Sequence, residues 1–274
     1  MKITALIENT SCRNDLCTEH GLSLYIEANG KNIVFDTGMS ETFAKNAKDL
    51  GKDIAAAELC VISHGHYDHG GGIRAFMEEN QTAPVYIREG AFIEHYAQRP
   101  DELFYCGLDK ALIPNGRFIF TDPICVIDEN LSIFSETPAY EPIYESSRAQ
   151  KELVDGEIVQ DKFLHEQNLV IKEGDKYTLI AGCAHSGIYN IITRFRELYG
   201  CDPSLVVGGF HLMIPSLKKP MPDEAIDGLA AKLKAMENTQ FYTCHCTGEY
   251  AFNRLQSIMG DQVRYLATGM TIEN

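Results

Sequence analysis

Four potential metal ligands fall within six residues in His64-Gly65-His66-Tyr67-Asp68-His69, and a Gly70-Gly71-Gly72 run closes the segment. The apolar run Leu59-Cys60-Val61-Ile62 just before it reads as a buried strand, so His64 stands where that strand ends and the chain turns. Gly65 permits the turn to be tight. His64 and His66 then face one ion while Asp68 and His69, half a turn further on, face a second, at the roughly 3.5–4 Å separation of two-metal hydrolytic sites. A histidine-rich surface loop is the plain alternative, and it leaves the dense, glycine-flanked spacing unexplained.

The rest of the chain suits a soluble enzyme. Its 274 residues match one α/β unit with two sheets, read as a single domain over 1–274. Apolar residues at 45% and charged residues at 23% argue against a disordered or membrane chain, and the apolar runs are strand-length, broken by Glu, Asp or Lys. The N-terminus, Met1-Lys2-Ile3-Thr4-Ala5-Leu6-Ile7-Glu8, alternates like a first strand and turns acidic too soon for a signal peptide. A cytoplasmic location is expected. The formal charge of −15 repels phosphate backbones, so a nucleic-acid partner is disfavoured. Nine cysteines form an odd set without the spacing of a disulfide framework, which suits a reducing compartment. Most read as buried thiols, although Cys183, Cys244 and Cys246 lie beside candidate ligands.

Strand patterns occur over 3–8, 22–28 and 32–36, the last two joined by the hairpin signal Asn29-Gly30. A helix over 41–50, the metal strand, a helix over 73–79 and a strand over 85–88 follow. Residues 90–116 are poorly periodic and aromatic, and are expected to wall the pocket. Strands at 117–120 and 131–134 precede Ser135–Asp161, which shows no period and is read as a substrate-covering lid. A second hairpin over 168–181 turns at Gly174-Asp175 and delivers Gly182–Gly187. Helices at 188–199, 223–236 and 249–259 alternate with strands at 205–208, 241–243 and 263–267. The pattern implies an α/β αββα sandwich, two mixed sheets with helices on the outer faces, whose loops meet at one edge.

These motifs resemble the metallo-β-lactamase superfamily, with Asp36 in Phe35-Asp36-Thr37-Gly38 standing where that superfamily carries its first, structural Asp. Glu19-His20-Gly21-Leu22-Ser23, Gly182-Cys183-Ala184-His185-Ser186-Gly187, Gly208-Gly209-Phe210-His211-Leu212 and Cys244-His245-Cys246-Thr247-Gly248 resemble its dihydropteroate-synthase-like subgroup, named for a dihydropterin-methyl aminobenzene ribofuranosyl-phosphate synthase. The resemblance implies two divalent ions, one held by His64, His66 and His185 and the other by Asp68, His69 and His245, with Asp36 orienting a ligand imidazole. Histidine-rich ligation favours Zn2+, and Mn2+ or Fe2+ fit His and Asp nearly as well.

Two departures stand out. Most superfamily members supply a third His before the second hairpin and a bridging Asp after it, whereas this chain has His165-Glu166 before it and His185 after it. The subgroup's Asp-Glu is likewise replaced by His165-Glu166. His185 either takes the bridging place or serves as the third histidine. Asp68 and His211 are the candidate catalytic residues, His211 following glycines that permit close ligand approach. Glu19, His165, Glu166, Phe210 and Arg148 are candidate substrate contacts, and Lys218-Lys219 offer further charge for a phosphate. The expected partner is a small molecule, phosphorylated or pterin-like, used in a transferase reaction that displaces diphosphate. A metal-hydroxide hydrolase (phosphodiesterase, lactonase or thioesterase) and a non-catalytic, metal-dependent ligand sensor are the rival readings.

Overall fold

A computed structural model describes residues 1–214, 217 and 219–273. Two seven-stranded sheets form its centre. The first runs, in spatial order, Thr271–Glu273, Lys2–Ile7, Ser23–Ala28, Lys31–Phe35, Leu59–Val61, Val85–Ile87 and Phe118–Phe120. The second runs Val263–Tyr265, Gln240–Thr243, Leu205–Gly208, Lys176–Ile180, Gln167–Glu173, Leu131–Ser135 and Ile124–Val126.

Because successive side chains on a strand point to opposite faces, each strand feeds two cores. Ile33 and Phe35 join Leu59, Val61, Ile133, Leu169, Leu205 and Val207 between the sheets. Their neighbours Val34 and Cys60 turn outward onto Phe43 and Ala47 of helix Thr42–Asp49 and Ile73 and Phe76 of helix Ile73–Glu79. Val206 and Phe241 turn outward beneath helices Ile188–Tyr199, Asp223–Lys234 and Glu249–Met259. The result is the expected αββα sandwich. Both hairpins form at their predicted turns, Asn29 and Gly30 both adopting the positive φ that such tight turns require.

The parallel strands set the position of the site. Lys31–Phe35, Leu59–Val61 and Val85–Ile87 run parallel, as do Lys176–Ile180, Leu205–Gly208 and Gln240–Thr243. Asp36, His64, Cys183, His211 and His245 each follow the carboxyl end of one of these strands, where open α/β sheets place their ligand-binding loops.

Two segments differ from the sequence expectation. Ser135–Asp161 is not aperiodic throughout: Gln150–Val154 and Glu157–Gln160 form a hairpin, and Gln150–Val154 also pairs with His95–Gln98, which pairs with Leu103–Tyr105. This four-stranded sheet stands over one side of the site. The terminal strand Thr271–Glu273, absent from the sequence reading, returns to pair with Lys2–Ile7. Among the described residues no helix is long and apolar enough to cross a membrane.

Candidate metal centre

Gly65 sits where a side chain would collide with Ala91 and the His95 ring, so the turn between His64 and His66 requires glycine. That turn carries His64, His66, Asp68 and His69 into one buried cluster with His185 and His245.

Three of the imidazoles are fixed through Nδ1, leaving Nε2 to face inward. Ser63 Oγ lies 2.8 Å from His64 Nδ1 and 2.7 Å from Asp36 Oδ2, so its hydroxyl donates to the carboxylate and accepts from the ring. His69 Nδ1 is 2.6 Å from Asp36 Oδ2, and Asp36 is further held by the Ser63 amide at 2.7 Å. His245 Nδ1 is 2.8 Å from Asn9 Oδ1. This anchoring through one ring nitrogen is what metal-ligating histidines usually have. His185 is held differently, stacked on Phe163 with ring centroids 4.8 Å apart and planes 4° from parallel.

The inward atoms gather in two groups. Nε2 of His69 lies 3.2 Å from Nε2 of His245, 3.8 Å from Asp68 Oδ2 and 3.0 Å from Cys183 Sγ, and His245 Nε2 lies 3.3 Å from Asp68 Oδ2. On the other side the His64, His66 and His185 rings lie 4.6–4.9 Å apart, centroid to centroid. Nε2 of His64, Nε2 of His66 and both nitrogens of His185 are buried without a hydrogen-bond partner. Buried polar groups are almost always satisfied, so this concentration of bare imidazole nitrogens fits divalent metal ions.

For His64, His66 and His185 the electrostatics agree with that reading. Burial, reinforced by the neighbouring imidazoles, holds His64, His66 and His185 well below the usual histidine value, in the neutral form a metal needs. Burial also works against charge on Asp68, but the His69, His245 and His20 imidazoles outweigh it and keep the carboxyl well below its usual range. For His69 burial is outweighed by Asp36 and Asp68, which lift it to about 9. His20, whose Nε2 is 3.3 Å from Asp68 Oδ2, is pulled down to about 4 by burial and by His245.

A cavity of about 340 Å³ opens onto this cluster. Its floor is His20, His66, Asp68, Cys183, His185, His211, His245 and Cys246, and its walls include Tyr67, Gln98, Arg99, Phe104, Ser146 and Gln150. The expected wall at 90–116 is thus present, and Ser135–Asp161 contributes a second one. Ser147 Oγ bonds the His185 carbonyl at 2.9 Å and Ser146 Oγ the His211 carbonyl, so this segment is tied to the ligand loops. His211 lines the cavity with its ring 4.2 Å from that of His185 and both nitrogens unpartnered.

Five expected substrate contacts are not among the described residues lining the cavity. Glu19 instead braces the loop after Asp36 through the Met39 and Ser40 amides. His165 Nδ1 accepts the Gly65 amide at 2.9 Å and its Nε2 meets Asp161, so it supports the His64–His69 turn from behind. Glu166 accepts the His185 and Ser186 amides at 2.6 and 3.0 Å. Phe210 is buried in the core beneath the helices, and Arg148 is exposed. Lys219 is exposed as well, and Lys218 lies outside the described residues. Conversely, His20, Asn9, Ser63, Phe163, Arg99 and Cys183 take places that the sequence reading did not assign. Local signals existed for Ser63, a hydroxyl adjoining the first candidate ligand, for Cys183, two positions before His185, and for His20, within the Glu19–Ser23 motif.

Residues 18–192 match the family model of the metallo-beta-lactamase superfamily. The chain belongs to that superfamily. Among its relatives, the 7,8-dihydropterin-6-methyl-4-(beta-D-ribofuranosyl)-aminobenzene-5'-phosphate synthase of Methanocaldococcus jannaschii is 28% identical over 297 residues, covering 100% of this chain and 96% of that protein. Among superfamily structures, Tm1679, a metal-dependent hydrolase, superposes with a TM-score of 0.85 at 28% identity, covering 100% of this chain and 99% of that one. Zn(2+)-bound PqqB from Methylobacterium extorquens shares the fold, with a TM-score of 0.62 at 11% identity and full coverage of both chains.

Proposed function

We propose that this protein is a dinuclear-metal enzyme that joins an arylamine ribose phosphate to a pterin methyl carbon with displacement of diphosphate. The observation that carries the reading is the buried cluster of His64, His66 and His185 beside Asp68, His69 and His245, of which His66, Asp68, His185 and His245 line one small-molecule-sized cavity. Full-length similarity to a synthase of this chemistry supports the choice of substrate.

Zn2+ is the expected ion, with Mn2+ or Fe2+ as alternatives. His64, His66, His185, Asp68, His69 and His245 would hold such ions, whose Lewis acidity would offset negative charge on a leaving diphosphate. The side chains do the rest. His211, its nitrogens free and facing the cavity, is placed to take the arylamine proton or to donate to a phosphate oxygen. Asp68 orients the second site through His20 and His245, each 3.3 Å away. Phe104 and Tyr67, 5.9 Å apart, offer aromatic faces for a flat heterocycle. Arg99, stacked on Phe104 with its guanidinium carbon 3.5 Å from the ring centroid, is the Lys or Arg among the described lining residues and replaces Arg148 as the expected phosphate contact.

Incubation of metal-loaded protein with the hydroxymethyl-dihydropterin diphosphate and the aminobenzene ribofuranosyl phosphate tests this. Coupled product with stoichiometric diphosphate is expected. Likeness to a metal-dependent hydrolase favours a second reading, hydrolysis of a phosphodiester or lactone on the same scaffold. Turnover of such esters without coupling would establish it, whereas tight pterin binding without any product would identify a sensor.

A further inference from the structure

Cys183 stands where three buried donor groups meet. Its Sγ groups with Asp68, His69 and His245, again with His64 and His185, and again with His211 and Cys246, the ligand atoms in each group all lying within 4.8 Å of one another. The side chain is 2% exposed and follows the strand Lys176–Ile180.

On one side, Sγ completes a cage. The contacts of 3.0, 3.2, 3.3 and 3.8 Å among Cys183 Sγ, His69 Nε2, His245 Nε2 and Asp68 Oδ2 compare with edges of about 3.3–3.7 Å for a tetrahedron with bonds of about 2.0–2.3 Å. On the other side stand His64 and His185, whose inward nitrogens are buried without partners. Neither nearby carboxylate spans both groups. Asp68 turns toward His20 and His245, and both oxygens of Glu166 accept backbone amides. Cys246 Sγ bonds the Cys183 carbonyl at 3.5 Å.

Resting on the dinuclear reading above, we propose that Cys183 bridges the two metal ions as a thiolate. It supplies the shared anion that neither Asp68 nor Glu166 provides. The thiol gives up its proton to solvent as the ions bind. A soft bridging sulfur also biases the centre toward zinc or cobalt and away from magnesium or manganese.

X-ray absorption on the zinc-loaded wild-type protein tests the bridge. A zinc–sulfur shell at about 2.3 Å is expected. With two zinc ions bound, a bridging sulfur contributes one sulfur per zinc on average, and a terminal one contributes half. Cys183→Ser should abolish the shell and Cys246→Ser should retain it. Cobalt titration adds a readout on unaltered protein: the thiolate-to-cobalt absorption should grow through both equivalents. Two bound zinc ions with no sulfur shell, a half-occupied shell, or a shell lost only in Cys246→Ser would overturn the bridge and leave the dinuclear centre standing. Failure to bind zinc or cobalt would overturn both.

Discussion

His69 Nδ1 lies 2.6 Å from Asp36 Oδ2, with neither side chain exposed to solvent. The same carboxylate accepts from Ser63 Oγ, so one acidic group orients His69 directly and His64 through a hydroxyl. Asp36 also adopts a left-handed backbone with φ of 58°, which Asn tolerates. Asp36→Asn is therefore expected to fold but to bind metal about 10–100-fold more weakly. Competition titration with a chromophoric chelator measures this, and unchanged affinity would reduce Asp36 to a turn residue.

The two metal positions should differ in affinity. The one formed by Asp68, His69 and His245 has a carboxylate and two rings anchored through Nδ1, whereas His185 in the other is held by a ring stack. Elemental analysis should find more than one equivalent as isolated, falling toward one on mild chelation, with the His64–His66–His185 position emptying first. Full metal retention in a His64→Ala, His66→Ala double variant would refute the assignment.

His211→Ala should keep its metal and lose roughly 10²–10⁴-fold in turnover, the usual contribution of a positioned acid or base. The bond from Ser146 to its carbonyl holds the backbone, so the substitution removes chiefly the ring. Metal loss would make it a ligand, and unaltered turnover would make it a structural histidine.

Asp161 tests the support behind the His64–His69 turn. It meets His95 Nδ1 at 3.2 Å and His165 Nε2 at 3.1 Å, and His165 in turn accepts the Gly65 amide. Burial opposes its charge, but the two imidazoles outweigh burial and hold the carboxyl well below its usual range. A depressed folded value contributes stability above the unfolded pKa of about 3.9 and loses it as pH falls through the folded value. Asp161→Asn should thus be less stable than the parent by about 1–3 kcal/mol at neutral pH. The gap should narrow below about pH 4. Denaturant titrations at several pH values measure it, and equal stability at neutral pH would rule out this role.

Much of the frame and four of the six candidate ligands were legible in the local spacing of the chain itself. Period-two patterns and turn residues marked most strands of both sheets, because each strand buries alternate side chains between the sheets and beneath the helices. His64, His66, Asp68 and His69 could be read together because one turn holds them, a local constraint that spacing expresses. The sheet built from Gln150–Val154 and His95–Gln98 was not legible, since its strands are only partly buried and carry no clear alternation, and they pair across more than fifty positions. Nor could spacing reveal that Cys183 enters the cluster, that His165 stands behind the turn, or that Asn9 anchors His245. Those placements arise where loops from distant parallel strands converge, so they depend on how the two sheets pack and were decided by the tertiary structure alone.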